Sequence, residues 1–562
     1  MMRALVVGLI GMVMLLDSAF SQDRGHARSM VLTERGVVAA SQTLAAQAGS
    51  EILRRGGSAV DAAIAANAVL GVVEPMMNGI GGDLFVMVRE AKTGRVVGLN
   101  GSGPAPRGLT VERLKKAGHE KMPETGIESV TVPGCVAGWA SLHQRYGKLA
   151  WADLFAPAIF YAENGFPVTE IIAAQWESQV KKLEGDADGA AVYLRDGKAP
   201  GVGEVFRNPE LARAYRLIAT EGAGAFYRGA IAEAMVGKSE KLGGALTRED
   251  LAEFEPEWVE PISTEYRGWR VWEIPPNSQG IAALSMLNIM EKFELGAMSP
   301  LAAPLLHLEI EAQKLAYADL GRYVADPRVA PAPVEEMLDK GYAAKRAGLI
   351  RKGRAACDAA PGVFPIKGEG DTVYLAAADA EGNLVSLIQS IFLAYGSGIG
   401  VPGFGFHLHN RGGLFTLEEG HPNALAPGKR PFHTIIPAMM EKGERHIAFG
   451  IMGGLNQAQA HAQFVSRVVD HGMNVQEALE AARFTRPKMG GCEVTVEDRV
   501  PAAEIRTLRR WKHEVKVVGA YSNEVGGGQA VEWNSRTGVK AGASSPRKDG
   551  AAVPEPDRYL PE

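Results

Sequence analysis

Apolar and polar positions along the chain change period several times, and the changes mark out the elements. Residues 41–53 carry apolar side chains at helical spacing, with Ser41 placed to cap the start and Gly56-Gly57 placed to stop it. Residues 59–73 are Ala-rich and almost wholly apolar, which predicts a helix buried on all sides. A glycine-punctuated turn over 74–82 leads into the strand-like run 84–88. Helical period returns over 153–165, 209–220 and 305–324. Residues 353–370 break the pattern: Gly, Pro, Ala and charges without periodicity predict an exposed linker. Directly after it, 372–378 and 384–390 read as two strands joined at Glu381-Gly382-Asn383. The alternation of helix-like and strand-like stretches predicts a mixed α and β fold without internal repeats.

The first residues obey a different logic. One basic residue, Arg3, precedes an uninterrupted apolar run over 4–16, and Ala19-Phe20-Ser21 offers small residues where a signal peptidase acts. This predicts a signal peptide over 1–21 and a periplasmic or secreted product. No later segment approaches the ~20 apolar residues of a membrane span. At 22% charged and 46% hydrophobic, the 562 residues are too apolar for a disordered chain. A net charge of −5 argues against nucleic-acid binding. Three cysteines, Cys135, Cys357 and Cys492, are too few for a disulfide scaffold and lack the spacing of a zinc cluster. No cofactor or metal is expected. His407 and His409 would share a strand face, but no third ligand is spaced to join them.

A threonine at the junction of linker and buried hairpin has particular chemistry. If the chain is cut between Asp371 and Thr372, the new α-amino group has a pKa near ~8 and can accept the proton of its own hydroxyl. One residue then supplies nucleophile and base. Attack on an amide also needs oxyanion donors. Gly453-Gly454 lies between a strand-like and a helix-like run, where backbone N–H groups can point at a ligand.

Several segments in this order carry a resemblance. They are 56–85, which ends in GIGGDLF, 132–151, 265–284 with PPNSQGIAAL, 371–390, YGSGI at 395–399, 428–439, FGIMGGLNQAQAHAQ at 449–463, and GASSPRKDG at 542–550. Together they resemble the γ-glutamyltranspeptidase family of N-terminal-nucleophile hydrolases. The resemblance implies an α+β fold, a four-layer αββα sandwich built from a large subunit (22–371, ending in linker 353–371) and a small one (372–562). It places the nucleophile on Thr372, a second hydroxyl on Ser390 and the oxyanion pair on Gly453 and Gly454. It implies a small-molecule amide substrate and water or an amine as acceptor.

The positions that grip a glutamyl group in that family are mostly changed here. Ser102 stands at the carboxylate-binding arginine, and Phe392 and Leu414 stand at the residues that hold the α-amine. His433 and Thr434 stand at two serines. Asn410 and Arg411 lie beside that site, and Arg411 is either an anion ligand or one half of a structural ion pair. Three readings follow: a γ-glutamyl hydrolase or transferase of glutathione-hydrolase type, an amidohydrolase for a non-glutamyl acyl group such as an oxamate-like or glutaryl amide, and an exported binder without catalysis.

Overall fold

The computed structural model describes residues 26–359 and 372–557. The expected signal peptide over 1–21, most of the expected linker and Asp371 lie outside the described residues.

Two seven-stranded antiparallel sheets face each other. One runs, by neighbour, Val31–Thr33, Lys540–Ser544, Gly528–Asn534, Arg445–Ile451, Ala438–Lys442, Trp269–Glu273 and Ile262–Tyr266. The other runs Ala551–Pro554, Val37–Ala40, Val373–Ala378, Leu384–Ser390, Asp83–Arg89, Val96–Gly101 and Glu257–Val259. Helices Thr43–Arg54 and Ala59–Val73 cover the outer face of the second sheet, and Gly280–Met290 and Asn456–Val469 cover that of the first. The result is the expected four-layer αββα sandwich.

The layers explain why the strands read as continuous apolar runs. In Val373–Ala378, Val373, Leu375 and Ala377 join the core under the helices. Tyr374, Ala376 and Ala378 join the core between the sheets. Successive side chains point to opposite faces, and both faces are buried. The sheets approach closely at Gly450, where a Cβ would stand 2.4 Å from the Tyr374 ring.

Local expectations needed two corrections. The first helix is capped by Gln42, whose side chain accepts from the Leu44 amide at 2.6 Å. Ser41 is one residue too early, because its hydroxyl is committed to buried Glu74 at 2.5 Å. Residues 407–409 do not form a strand with paired imidazoles: His407 makes only an isolated bridge to Gly400. Its ring packs against Tyr193 and Tyr395, while His409 turns to Asp83. The cysteines build no scaffold, yet two of them pair, Cys357 with Cys492, while Cys135 stays buried and reduced. No helix of the described residues is long and apolar enough to cross a membrane.

Candidate active site

The hairpin brings its two hydroxyls together. Val373 pairs with Gln389, so Thr372 arrives opposite Ser390 at the end of the ladder. Thr372 is 1% exposed, and its Oγ1 lies 3.4 Å from Ser390 Oγ. Ser390 Oγ also accepts from the Phe392 amide at 2.8 Å. Gln457, on the first turn of helix Asn456–Val469, directs its Nε2 at Thr372 Oγ1 from 3.5 Å.

The glycine turn sits between strand Arg445–Ile451 and that helix. Gly453 has φ +114° and Gly454 φ +56°. Their carbonyls face inward to the protein: Gly453 O accepts from the Asn456 amide at 2.8 Å, and Gly454 O from Gln279 Nε2 at 2.7 Å. Among the described residues neither glycine N–H has an acceptor. Gln279 also donates to Thr434 O at 2.5 Å, fastening the turn to the neighbouring segment. Below the turn, the Ile451 amide donates to His461 Nε2 at 3.1 Å, so that nitrogen carries a lone pair. His461 Nδ1 faces Glu273 Oε1 at 2.8 Å.

The Gly453 backbone lies in a region that side chains avoid. A Cβ there would also meet Asn456 Cβ at 3.2 Å. Gly453→Ala is expected to tilt both N–H groups and lower turnover by ~10²-fold or more, the effect of losing one oxyanion donor. Single-turnover acylation of the folded variant checks this, and wild-type turnover would contradict it. Gly454 lies in the left-handed helical region, where an L side chain costs only roughly 1–2 kcal/mol, so Gly454→Ala is expected to be milder.

The candidate substrate-binding residues Ser102, Asn410, Arg411, His433 and Thr434 lie in a buried polar network. Asp83, paired in register with Ser390, is its hub. Asp83 Oδ2 accepts from His409 Nδ1 at 3.0 Å, Arg411 Nε at 2.9 Å and His433 Nε2 at 2.9 Å. All four side chains are fully buried. Burial alone would raise the Asp83 carboxyl, but contacts with His409 and His433 outweigh it and hold it well below the usual carboxylate range. Burial, then the charge of Arg411, pulls His433 down to about 3. Arg411 Nη1 donates to Thr434 Oγ1 at 2.9 Å, and its guanidinium stacks 4.6 Å from the Phe392 ring centroid. Arg411 is thus ion-paired to Asp83. Its Nη2 alone has no partner among the described residues. Asn410 ties Leu393 to Glu124 through both ends of its amide. Ser102 is held by Asn100 and Asn277.

Two cavities flank the Phe392–Ala394 turn. One, of about 510 Å³, is lined by Gly453, Leu455, Asn456, Met77 and Ala394. The other, of about 640 Å³, has an apolar wall of Phe392, Leu414, Phe415, Leu417, Phe432 and Met489. Exposed Lys115 and Lys121 stand at its rim. Thr372, Ser390, Ser102, Arg411, His433 and Thr434 line neither.

These features match a known family over most of the chain. The γ-glutamyltranspeptidase family model matches residues 45–555. The chain belongs to the γ-glutamyltranspeptidase family. It is therefore an enzyme of the N-terminal-nucleophile hydrolase and transferase class. It is 38% identical over 533 residues to the glutathione hydrolase-like YwrD proenzyme of Bacillus subtilis, covering 93% of this chain and 99% of that one. It is 33% identical over 532 residues to the oxamate amidohydrolase proenzyme of Klebsiella pneumoniae, covering 93% and 99%. Among solved structures, the cephalosporin acylase of Bacillus halodurans superposes with a TM-score of 0.88 at 42% identity, covering 95% of this chain and 99% of that one.

Asp83, Gln279 and Gln457 went unassigned in the sequence. Each lies inside a family segment noted above, so a signal existed, but nothing local indicated which partner each would meet. The same burial creates a pH dependence. His407, His433, His461 and His513 are each pulled down to about 3, in every case first by burial. Unfolded histidines gain a proton near pH ~6.5, whereas these stay neutral while folded. Stability is expected to be full above that pH and to fall as pH drops towards 3, by up to ~1.4 kcal/mol per unit for each histidine. A melting midpoint that stays flat from pH 7 to pH 4.5 would contradict this.

Proposed function

We propose that the chain cleaves itself between Asp371 and Thr372 and then hydrolyses amides whose acyl group lacks the amino-acid zwitterion. The released α-amino group of Thr372 takes the proton of Oγ1, and Oγ1 attacks the amide carbonyl. The N–H groups of Gly453 and Gly454 receive the oxyanion, and Gln457 and Ser390 orient Oγ1. The leaving amine takes the proton. Water, or an amine acceptor, then attacks the acyl-threonine ester and regenerates the hydroxyl. The proenzyme names of the relatives from Bacillus subtilis and Klebsiella pneumoniae support a cut precursor.

The observation that carries the acyl preference is the wall of the larger cavity. Phe392 and Leu414 present hydrocarbon where a glutamyl α-amine would need an anion. The buried cation against the Phe392 ring, Arg411, is paired to Asp83. A single distal carboxylate could still meet Lys115 or Lys121 at the rim, with its stem against the apolar wall. The oxamate amidohydrolase and cephalosporin acylase relatives support this reading.

The test compares kcat/KM for a γ-glutamyl anilide and the matching glutaryl anilide, which lacks only the α-amine. Each absent charge-assisted contact is worth ~1.5–3 kcal/mol, so the glutaryl compound is expected to be favoured by roughly 10²-fold. A clear preference for the γ-glutamyl compound would restore the glutathione-hydrolase reading.

We also propose export. The apolar run over 4–16 and the Cys357–Cys492 disulfide support it, since disulfides persist in oxidising compartments.

A further inference from the structure

We propose that the Cys357–Cys492 bond is a thiol-exchange site that holds the two cleaved chains together, and that a low-molecular-weight thiol opens it at Cys357. This rests on the cleavage reading above, because only a cut between 371 and 372 places the two sulfurs on different chains. The bond spans 135 residues of sequence, and the cut falls within that span.

The two sulfurs stand in unlike surroundings. Cys357 lies in an exposed strap, 14 residues before the cut. Cys492 is 2% exposed. Lys314 Nζ lies 3.9 Å from Cys492 Sγ, and Lys314 is itself buried and ion-paired to Glu311 at 2.6 Å. Among the described residues the strap is also fastened by His307 Nε2 at 2.9 Å from Arg351 O, by Ala355 N donating to Trp511 O at 2.7 Å and by Ala356 N donating to Glu311 Oε2 at 3.0 Å. Access therefore favours attack at Cys357, and the ammonium beside Cys492 favours that sulfur as the leaving thiolate.

The exchange balances in two steps. A small thiolate attacks Cys357 Sγ and forms a mixed disulfide there. The bond to Cys492 breaks, and its electron pair leaves on Cys492 beside Lys314. A second small thiolate attacks the sulfur of the first, releases Cys357 as a thiolate and forms the small-molecule disulfide. Two thiols are oxidised and one protein disulfide is reduced. The subunits are then held by non-covalent contacts alone, the strand pairing across both sheets included.

The bond also anchors a loop that walls both cavities. Pro487 and Lys488 line the smaller one, and Met489 lines the larger. Arg486 clamps the same loop through the carbonyls of Gly490 and Gly491.

The test uses the purified full chain, alkylated to block free thiols and run on denaturing gels. The expected result is one full-mass band without reductant and two fragments with it. A non-reduced tryptic map is expected to contain the Cys357 peptide joined to the Cys492 peptide. Two fragments without reductant, or absence of the joined peptide, would overturn the proposal. A single band under both conditions would defeat the cleavage reading instead, and the peptide map would still decide the linkage. Cys357→Ser is expected to give two fragments without reductant while amide release continues. Limiting 2-mercaptoethanol is expected to leave its adduct on the Cys357 peptide, and an adduct on the Cys492 peptide would overturn the assigned direction of attack.

Discussion

Thr372→Ala is expected to remain one full-length chain and to release no amine from any anilide substrate. The hydroxyl that attacks the preceding peptide carbonyl during cleavage is the hydroxyl that later attacks substrate, so both events fail together. Removing a nucleophile that works as a unit with its base costs on the order of 10⁴-fold or more. The structure adds a reason that rescue from a neighbour fails. Ser390 Oγ, 3.4 Å away, is held by the Phe392 amide and has no α-amino group of its own to serve as base. Thr372→Ser keeps the hydroxyl and is expected to cleave, more slowly, since loss of the β-methyl frees the side-chain rotamer. The measurement is a reducing gel alongside an amine-release assay. Normal fragments from Thr372→Ala would sink the assignment.

Asp83→Asn is expected to be the most damaging single change outside the nucleophile. It leaves the guanidinium of Arg411 fully buried without a counter-charge, and removing one partner of such a pair costs about 3–5 kcal/mol. It also weakens the bonds that fix His409 and His433. Because Asp83 pairs in register with Ser390, the disturbance reaches the end of the hairpin where Thr372 sits. Urea unfolding would measure the loss. The double variant Asp83→Asn/Arg411→Met removes both charges and is expected to recover much of it, since replacing a whole buried pair by apolar volume is often near neutral. If Asp83→Asn unfolds at the wild-type urea concentration, or if the double variant is worse than the single one, the hub has been misjudged.

The hairpin was legible because its signals are local. Two apolar runs and a Glu-Gly-Asn turn define Val373–Ala378 and Leu384–Ser390. The glycine turn was legible for the same reason, a strand pattern ending two residues before Gly453-Gly454 and a helix beginning soon after. Where local reading failed, a tertiary partner had taken the side chain. Ser41 would cap a helix, but Glu74 occupies its hydroxyl.

Residue patterns alone carried the mixed α and β character, and the family resemblance of the segments carried the layered fold, the proposed nucleophile Thr372 and the proposed changes at the glutamate-gripping positions. Periodicity records how many faces of an element are buried, and residue identity records which charges are missing. Only the tertiary structure decided what the replacement residues do. Arg411 meets Asp83 across 328 positions, Gln279 reaches the glycine turn across 175, and Cys357 finds Cys492 across 135. A buried charge must be paired, and a buried amide must be bonded. Those requirements can be read from composition and burial, but the partner that meets them is set by which strands and loops the fold brings side by side.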